Sequence, residues 1–185
     1  MDKPAPPEIV LVSHYNLARV KEILAAEPGL LNVMYEPWVE TPLGAASHVG
    51  NRPIAEYLLG MGAPLTITTA AMLGRKADVA ALLAADPAQA HATGAHGISL
   101  LFHTAFSGDV SIAEMLVAAG GSTGSAGDAL HAAVSQGRSD MVRWLLDRGA
   151  SPNELDYQGK TPLAVALEQG LAEIAGMLRT AGGVK

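Results

Sequence analysis

The stretch Glu40–Ala63, "ETPLGAASHVGNRPIAEYLLGMGA", decides the fold. Thr41 caps a helix with its side-chain oxygen, and Pro42 sits in the first turn, where its missing N–H is harmless. Gly50 ends that helix, because glycine enters the left-handed region without steric penalty. Ile54, Tyr57 and Leu58 then fall on one face of a second helix. The segment reads as helix, turn, helix, with an apolar face too large for one pair to bury alone.

The pattern recurs along the chain, as repeat architectures require. Taking Gly50 as anchor, equivalent positions are Asn16, Gly74, Gly108, Gly137 and Gly170, at spacings of 34, 24, 34, 29 and 33 residues. Apolar residues follow each anchor in register: Val20 and Leu24; Val79, Leu82 and Leu83; Ile112 and Leu116; Met141 and Leu145; Ile174 and Leu178. Glu27-Pro28 and Asp86-Pro87 are helix stops in two of the longer units. Six units account for almost the whole chain.

The 185 residues are 49% apolar but only 4% aromatic, so the core must come from Ala, Leu, Val, Ile and Met. The net charge is −6, with no Lys/Arg cluster, which argues against nucleic acid as a partner. There is no cysteine, so disulfides, thiol catalysis and cysteine-ligated zinc are excluded. No apolar run approaches the roughly 18 residues of a membrane helix, and the N-terminus lacks a signal-peptide pattern. These features lead to the expectation of a cytoplasmic protein that does not engage membranes. "GGSTGSAG", 120–127, superficially resembles a phosphate loop, but no strand precedes it and no lysine follows. It is read as a linker. No nucleophile or metalloprotease motif is present, so no catalytic residue and no cofactor are assigned.

The phased units resemble ankyrin repeats, most closely in "TPLGAASHVGNRPIAEYLLGMGAPL", "DALHAAVSQGRSDMVRWLLDRGASPNELDYQGK" and "TPLAVALEQG". The resemblance covers about residues 8–182. It implies an all-α solenoid of about six helix-turn-helix units with a few short β-hairpin loops, forming one domain over 8–183 after a flexible tail, 1–7. It also implies a non-catalytic protein-protein interaction module that works through a concave face. The units at Gly74 and Gly137 lack the full Thr-Pro-Leu, and their preceding linkers are short or rich in Gly and Ser. Projecting hairpins are therefore expected only before the Gly50, Gly108 and Gly170 units, leaving a gapped recognition edge.

On this resemblance the partner-contacting palm positions are Tyr15, His48, Val49, Met72, Leu73 and Phe106. The finger positions are Tyr35, Trp38, Glu40, His96, Ile98, Tyr157, Gln158 and Lys160. The expected groove centres on Trp38, Met72 and Phe106, with a packing role as the other reading of Trp38, Met72 and Leu73. His131 is expected to hydrogen-bond backbone near an inter-repeat turn, and Trp144 to lie in the core. Two alternatives to the interaction module remain. One is a self-associating structural or enzyme-stabilising protein, with homo-oligomer contacts through the rather apolar C-terminal end. The other is a metal protein built on His91, His96 and His103, although no metal ligand set is assigned.

Overall fold

The computed structural model describes residues 5–123 and 126–185. The first four residues of the expected tail, and residues 124–125 of "GGSTGSAG", lie outside the described residues. Among the described residues, twelve α-helices form six antiparallel pairs. They are α1 (Glu8–Val12) with α2 (Leu17–Ala26), α3 (Pro42–His48) with α4 (Arg52–Gly60), and α5 (Ile67–Leu73) with α6 (Lys76–Ala85). Then come α7 (Leu100–Ser107) with α8 (Val110–Ala118), α9 (Ala126–Ser135) with α10 (Ser139–Asp147), and α11 (Pro162–Glu168) with α12 (Ala172–Thr180). The architecture is the all-α solenoid that the repeats imply, and no helix among the described residues is long and apolar enough to cross a membrane.

Local chemistry explains the pairs. The Thr41 hydroxyl accepts from Gly44 N at 3.0 Å, and Thr161 accepts from Ala164 N at 3.2 Å. Thr66 and Ser99 cap α5 and α7 in the same way. Every anchor glycine has a positive φ, between 63° at Gly137 and 75° at Gly108. Several neighbouring units are fastened together by polar bonds near the turn. Asn51 Nδ2 donates to His14 O, Arg52 to Leu73 O, and Arg138 Nε to Phe106 O. His131 Nε2 lies 2.8 Å from Glu154 O, the backbone bond expected of it. Trp144 is 6% exposed and packs under the Arg148 guanidinium, a core role as expected.

Fingers occur before the three expected units. They are tight turns closed by isolated bridges or single bonds, with no extended strand among the described residues. Tyr35 pairs with Glu40, Thr93 pairs with Ser99, and Asp156 N donates to Lys160 O. The expected gap over the fingerless third unit is not found between the first two fingers. The turn Ala95–Gly97 packs against α3, two units back, and the His96 and Trp38 rings lie 5.5 Å apart. A unit only 24 residues from its predecessor brings no finger of its own, so its neighbours close over it.

The same closure corrects the palm. Met72 and Leu73 are 2% and 5% exposed and belong to the main core. Phe106 from the fourth unit reaches back to the Gly50 backbone of the second, so α5 is enclosed between its neighbours. At the C-terminal end, the exposed residues of α12 are Ala172, Glu173, Gly176, Arg179 and Thr180, with Met177 half-buried and Val184 exposed beyond the helix.

Gly50 and Gly170 have nearly equal φ, 71° and 70°, but an added Cβ meets the Phe106 ring at 2.5 Å in the first and nothing in the second. Gly170→Ala should cost about 1–2 kcal/mol from left-handed backbone alone. Gly50→Ala should cost roughly 1–3 kcal/mol more through overpacking. Urea unfolding of both variants checks this. Equal losses would mean that the ring is free to move away.

Candidate functional site

Two features occupy the inner side of the array. The first is a polar cluster where the first, second and fourth units meet. Glu40 is fixed there by its place between a bridge and a helix cap: its carbonyl accepts from Tyr35 N at 2.8 Å, and the next residue, Thr41, caps α3. The Glu40 side chain is 0% exposed. His48 Nδ1 lies 2.8 Å from its Oε1, His14 Nε2 3.5 Å and His96 Nε2 3.6 Å. Yet neither carboxylate oxygen, nor His48 Nδ1, has a well-directed hydrogen bond, because the 2.8 Å contact is poorly aligned.

The rings are held from behind. His14 Nδ1 faces the carbonyls of Val10 and Leu11 at 3.1 and 2.9 Å, so that nitrogen carries the hydrogen. Nε2 is thereby turned toward Glu40. The His14 and His96 rings each stack edge-on against His48, and Trp38 lies between Tyr35 and His96. Burial raises the Glu40 pKa, but the closely placed His14 and His48 rings and their charges outweigh it and hold the carboxyl down at about 2. The nearby Glu40 carboxylate raises the pKa of His14, against the effect of its own burial. Val39 (φ 51°) and His96 (φ 58°) take the left-handed backbone without being glycine. For β-branched Val39 this is strain of about 1–3 kcal/mol, placed at the tip of a finger that the cluster holds in position.

His103 stands apart. It is 1% exposed, its Nδ1 faces Ser99 O at 2.9 Å, and its Nε2 has no partner. Gly94 must be glycine for this ring, because a Cβ there would lie 2.6 Å from His103 Cε1. The expected trio of His91, His96 and His103 does not converge. Among the described residues the one grouping with metal-ligand spacing is His14, Glu40 and His48.

The second feature is a groove of about 700 Å³ over the C-terminal half. It draws on α3, α7, α9 and α11 and on the two later fingers. Its apolar lining includes Val49, Ile98, Phe102, Phe106 and Val165; its polar lining includes Gln136, Asp156, Tyr157, Gln158, Lys160 and Glu168. Asp156 shapes the third finger: its Oδ1 accepts from Gln158 N at 2.8 Å and Lys160 N at 2.9 Å. Lys160 Nζ pairs with Glu168 at 2.6 Å.

A model of this family, described as "Ankyrin repeats (3 copies)", matches residues 45–156 and 101–184. The chain belongs to the ankyrin repeat family. Over 42 residues it is 52% identical to the "Putative ankyrin repeat protein YahD" of Escherichia coli (strain K12), covering 23% of this chain and 21% of that protein. Over 56 residues it is 45% identical to the "Potassium channel GORK" of Arabidopsis thaliana, covering 30% of this chain and 7% of that protein. The matches thus span a fifth or less, in round terms, of the relatives' own lengths. Ankyrin repeats are generally protein-protein interaction modules.

Of the residues expected to meet a partner, the groove brings together His48, Val49, Ile98, Phe106, Tyr157, Gln158 and Lys160. Tyr15 is 72% exposed but does not line it. Tyr35 and Glu40 are buried with Met72 and Leu73, so these four are corrected from contact positions to interior ones; Phe106, 9% exposed and in the same core, reaches the groove with only a small part of its ring. Trp38 is half-buried between two rings and packs its own finger. The centre of the open surface therefore moves from Trp38 and Met72 toward the fourth to sixth units. Sequence reasoning named Glu40, His48 and His96 singly but missed the cluster that they form with His14. The signal was the register: His14 and His48 both stand two residues before an anchor, His14 just past α1 and His48 at the end of α3.

Burial drives the His103 pKa down to about 4; its bond to Ser99 opposes this, and the nearby His48 adds to it. An unfolded His103 binds a proton below about pH 6.5, whereas the folded ring does not until about pH 4. Its contribution to stability is therefore complete above about pH 6.5 and falls as the pH drops toward about 4. NMR titration of its Cε1–H should show no inflection between about pH 7 and about pH 5. An inflection near pH 6.5 in folded protein would contradict the burial.

Proposed function

We propose that residues 8–183 act as one non-catalytic interaction domain that holds a segment of another protein in the groove over the fourth to sixth units. One observation carries the reading. Seven residues that occupy recognition positions in the repeat register line a single open groove, with apolar and polar groups side by side. Apolar area with an aromatic anchor supplies affinity, and polar groups around it supply orientation. Val49, Ile98 and Phe102 offer the apolar area, Tyr157 is a 94% exposed aromatic side chain on a finger, and Lys160, Glu168 and Gln136 offer the polar contacts. The finger that carries Tyr157 is ordered in advance by the Asp156 turn, which lowers the entropy lost on binding.

A photo-reactive amino acid placed at position 157 should cross-link the partner, whereas the same group at exposed Glu114 on α8 should not. With that partner in hand, Tyr157→Ala should weaken binding about tenfold or more, as an aromatic anchor does. Cross-linking from position 114 alone would assign recognition to the second helices and overturn the groove reading.

A further inference from the structure

The cluster around Glu40 has the wrong hydrogen-bond inventory to be complete as it stands. A carboxylate is an acceptor only, and it is fully buried with neither oxygen in a directed bond. His14 commits the hydrogen on Nδ1 to backbone carbonyls, so its Nε2 in the neutral ring presents a lone pair toward Glu40 Oε1. The buried Nδ1 of His48 is also without a directed partner. With the rings neutral, electron-rich atoms on three side chains converge on one place, and a cation can take the position that a ring proton would otherwise fill. Backbone bonding through the far ring nitrogen, as in His14, is the usual way that a ligating histidine is oriented.

We propose that His14, Glu40 and His48 form a binding site for a divalent first-row transition metal ion of the zinc type, with His96 as a fourth ligand at its rim. The potential ligand atoms of His14, Glu40 and His48 all lie within 4.8 Å of one another. Metal–donor bonds of about 2.0–2.1 Å put the corners of a tetrahedron about 3.3 Å apart. The separations of the three imidazole nitrogens from Glu40 Oε1, 2.8, 3.5 and 3.6 Å, bracket that value, so small side-chain rotations admit the ion. A donor set rich in imidazole with one carboxylate selects zinc, cobalt, nickel or copper over calcium and magnesium, which take oxygen. His96 is 39% exposed, which gives the ion a way in. The site joins the first unit through His14, the second through Glu40 and His48, and the fourth through His96. The bound ion would staple the array across its fingerless third unit. This goes beyond the expected set of His91, His96 and His103, whose other two members play no part.

The test uses the full chain without a His tag, stripped with chelator. Titration with Co2+ should give one equivalent bound and the intense visible bands of a tetrahedral nitrogen and oxygen site. Zn2+ should displace the cobalt and raise the Tm. His14→Ala and Glu40→Gln should each lower Zn2+ affinity at least tenfold. His96→Ala changes only a rim residue, and should weaken binding in a protein that circular dichroism shows to be folded. His91→Ala should leave affinity unchanged. Two results would overturn the proposal: no saturable Co2+ or Zn2+ binding by wild-type protein, or binding kept in a folded His14→Ala/His96→Ala double variant.

Discussion

A carboxylate without access to water, Glu40, lies where the first, second and fourth repeat units converge, and much of the inner face is arranged around it. A buried charge left alone costs several kcal/mol, so it is tolerated only where opposite charge or directed donors gather round it. Here three imidazoles from three different units do the gathering. Each is carried by an element whose position the repeat register sets: His14 and His48 at the ends of first helices, His96 on a finger. The tyrosine, tryptophan and histidine rings stacked beside them turn this polar contact into a joint between the first two fingers.

That joint depends on the third unit being short. With no finger before α5, the turn Ala95–Gly97 has room to reach α3, and the Phe106 ring has room to reach Gly50. The N-terminal half of the palm is thereby closed, and its apolar residues become core. The open groove is left over the later units, whose third finger stands free and whose palm residues are mostly polar. Stability and recognition are thus divided along the array. The fingers that meet at Glu40 hold the units together, while the finger organised by Asp156 is left for contact.

The caps, turns and helix pairs were legible in the sequence, because they depend on single residues at fixed offsets: Thr41 and Thr161, Pro42 and Pro162, and the glycines with positive φ. The core faces of the second helices were legible for a similar reason, through the spacing of Ile54 and Leu58 and their counterparts. The exposure of Met72, Leu73 and Glu40 was not, because it depends on contacts between units that are not neighbours in sequence. A repeat register places each residue within its own unit and beside the next one. It says nothing of a finger that bends past a whole unit. The same limit hid the cluster, since its His96 comes from two units beyond Glu40. His103 shows the local version: its need for Gly94 is visible only once the finger is folded onto α7.

The most direct test of the closure is a double-mutant cycle in urea between Trp38→Ala and His96→Ala, on chelator-treated protein so that a bound ion does not contribute. Aromatic pairs in contact couple by about 0.5–1.5 kcal/mol, beyond the error of such cycles. The account predicts a favourable coupling in that range. Additive effects of the two substitutions, with no coupling, would mean that the first two fingers stand apart in solution and that the third unit is not enclosed.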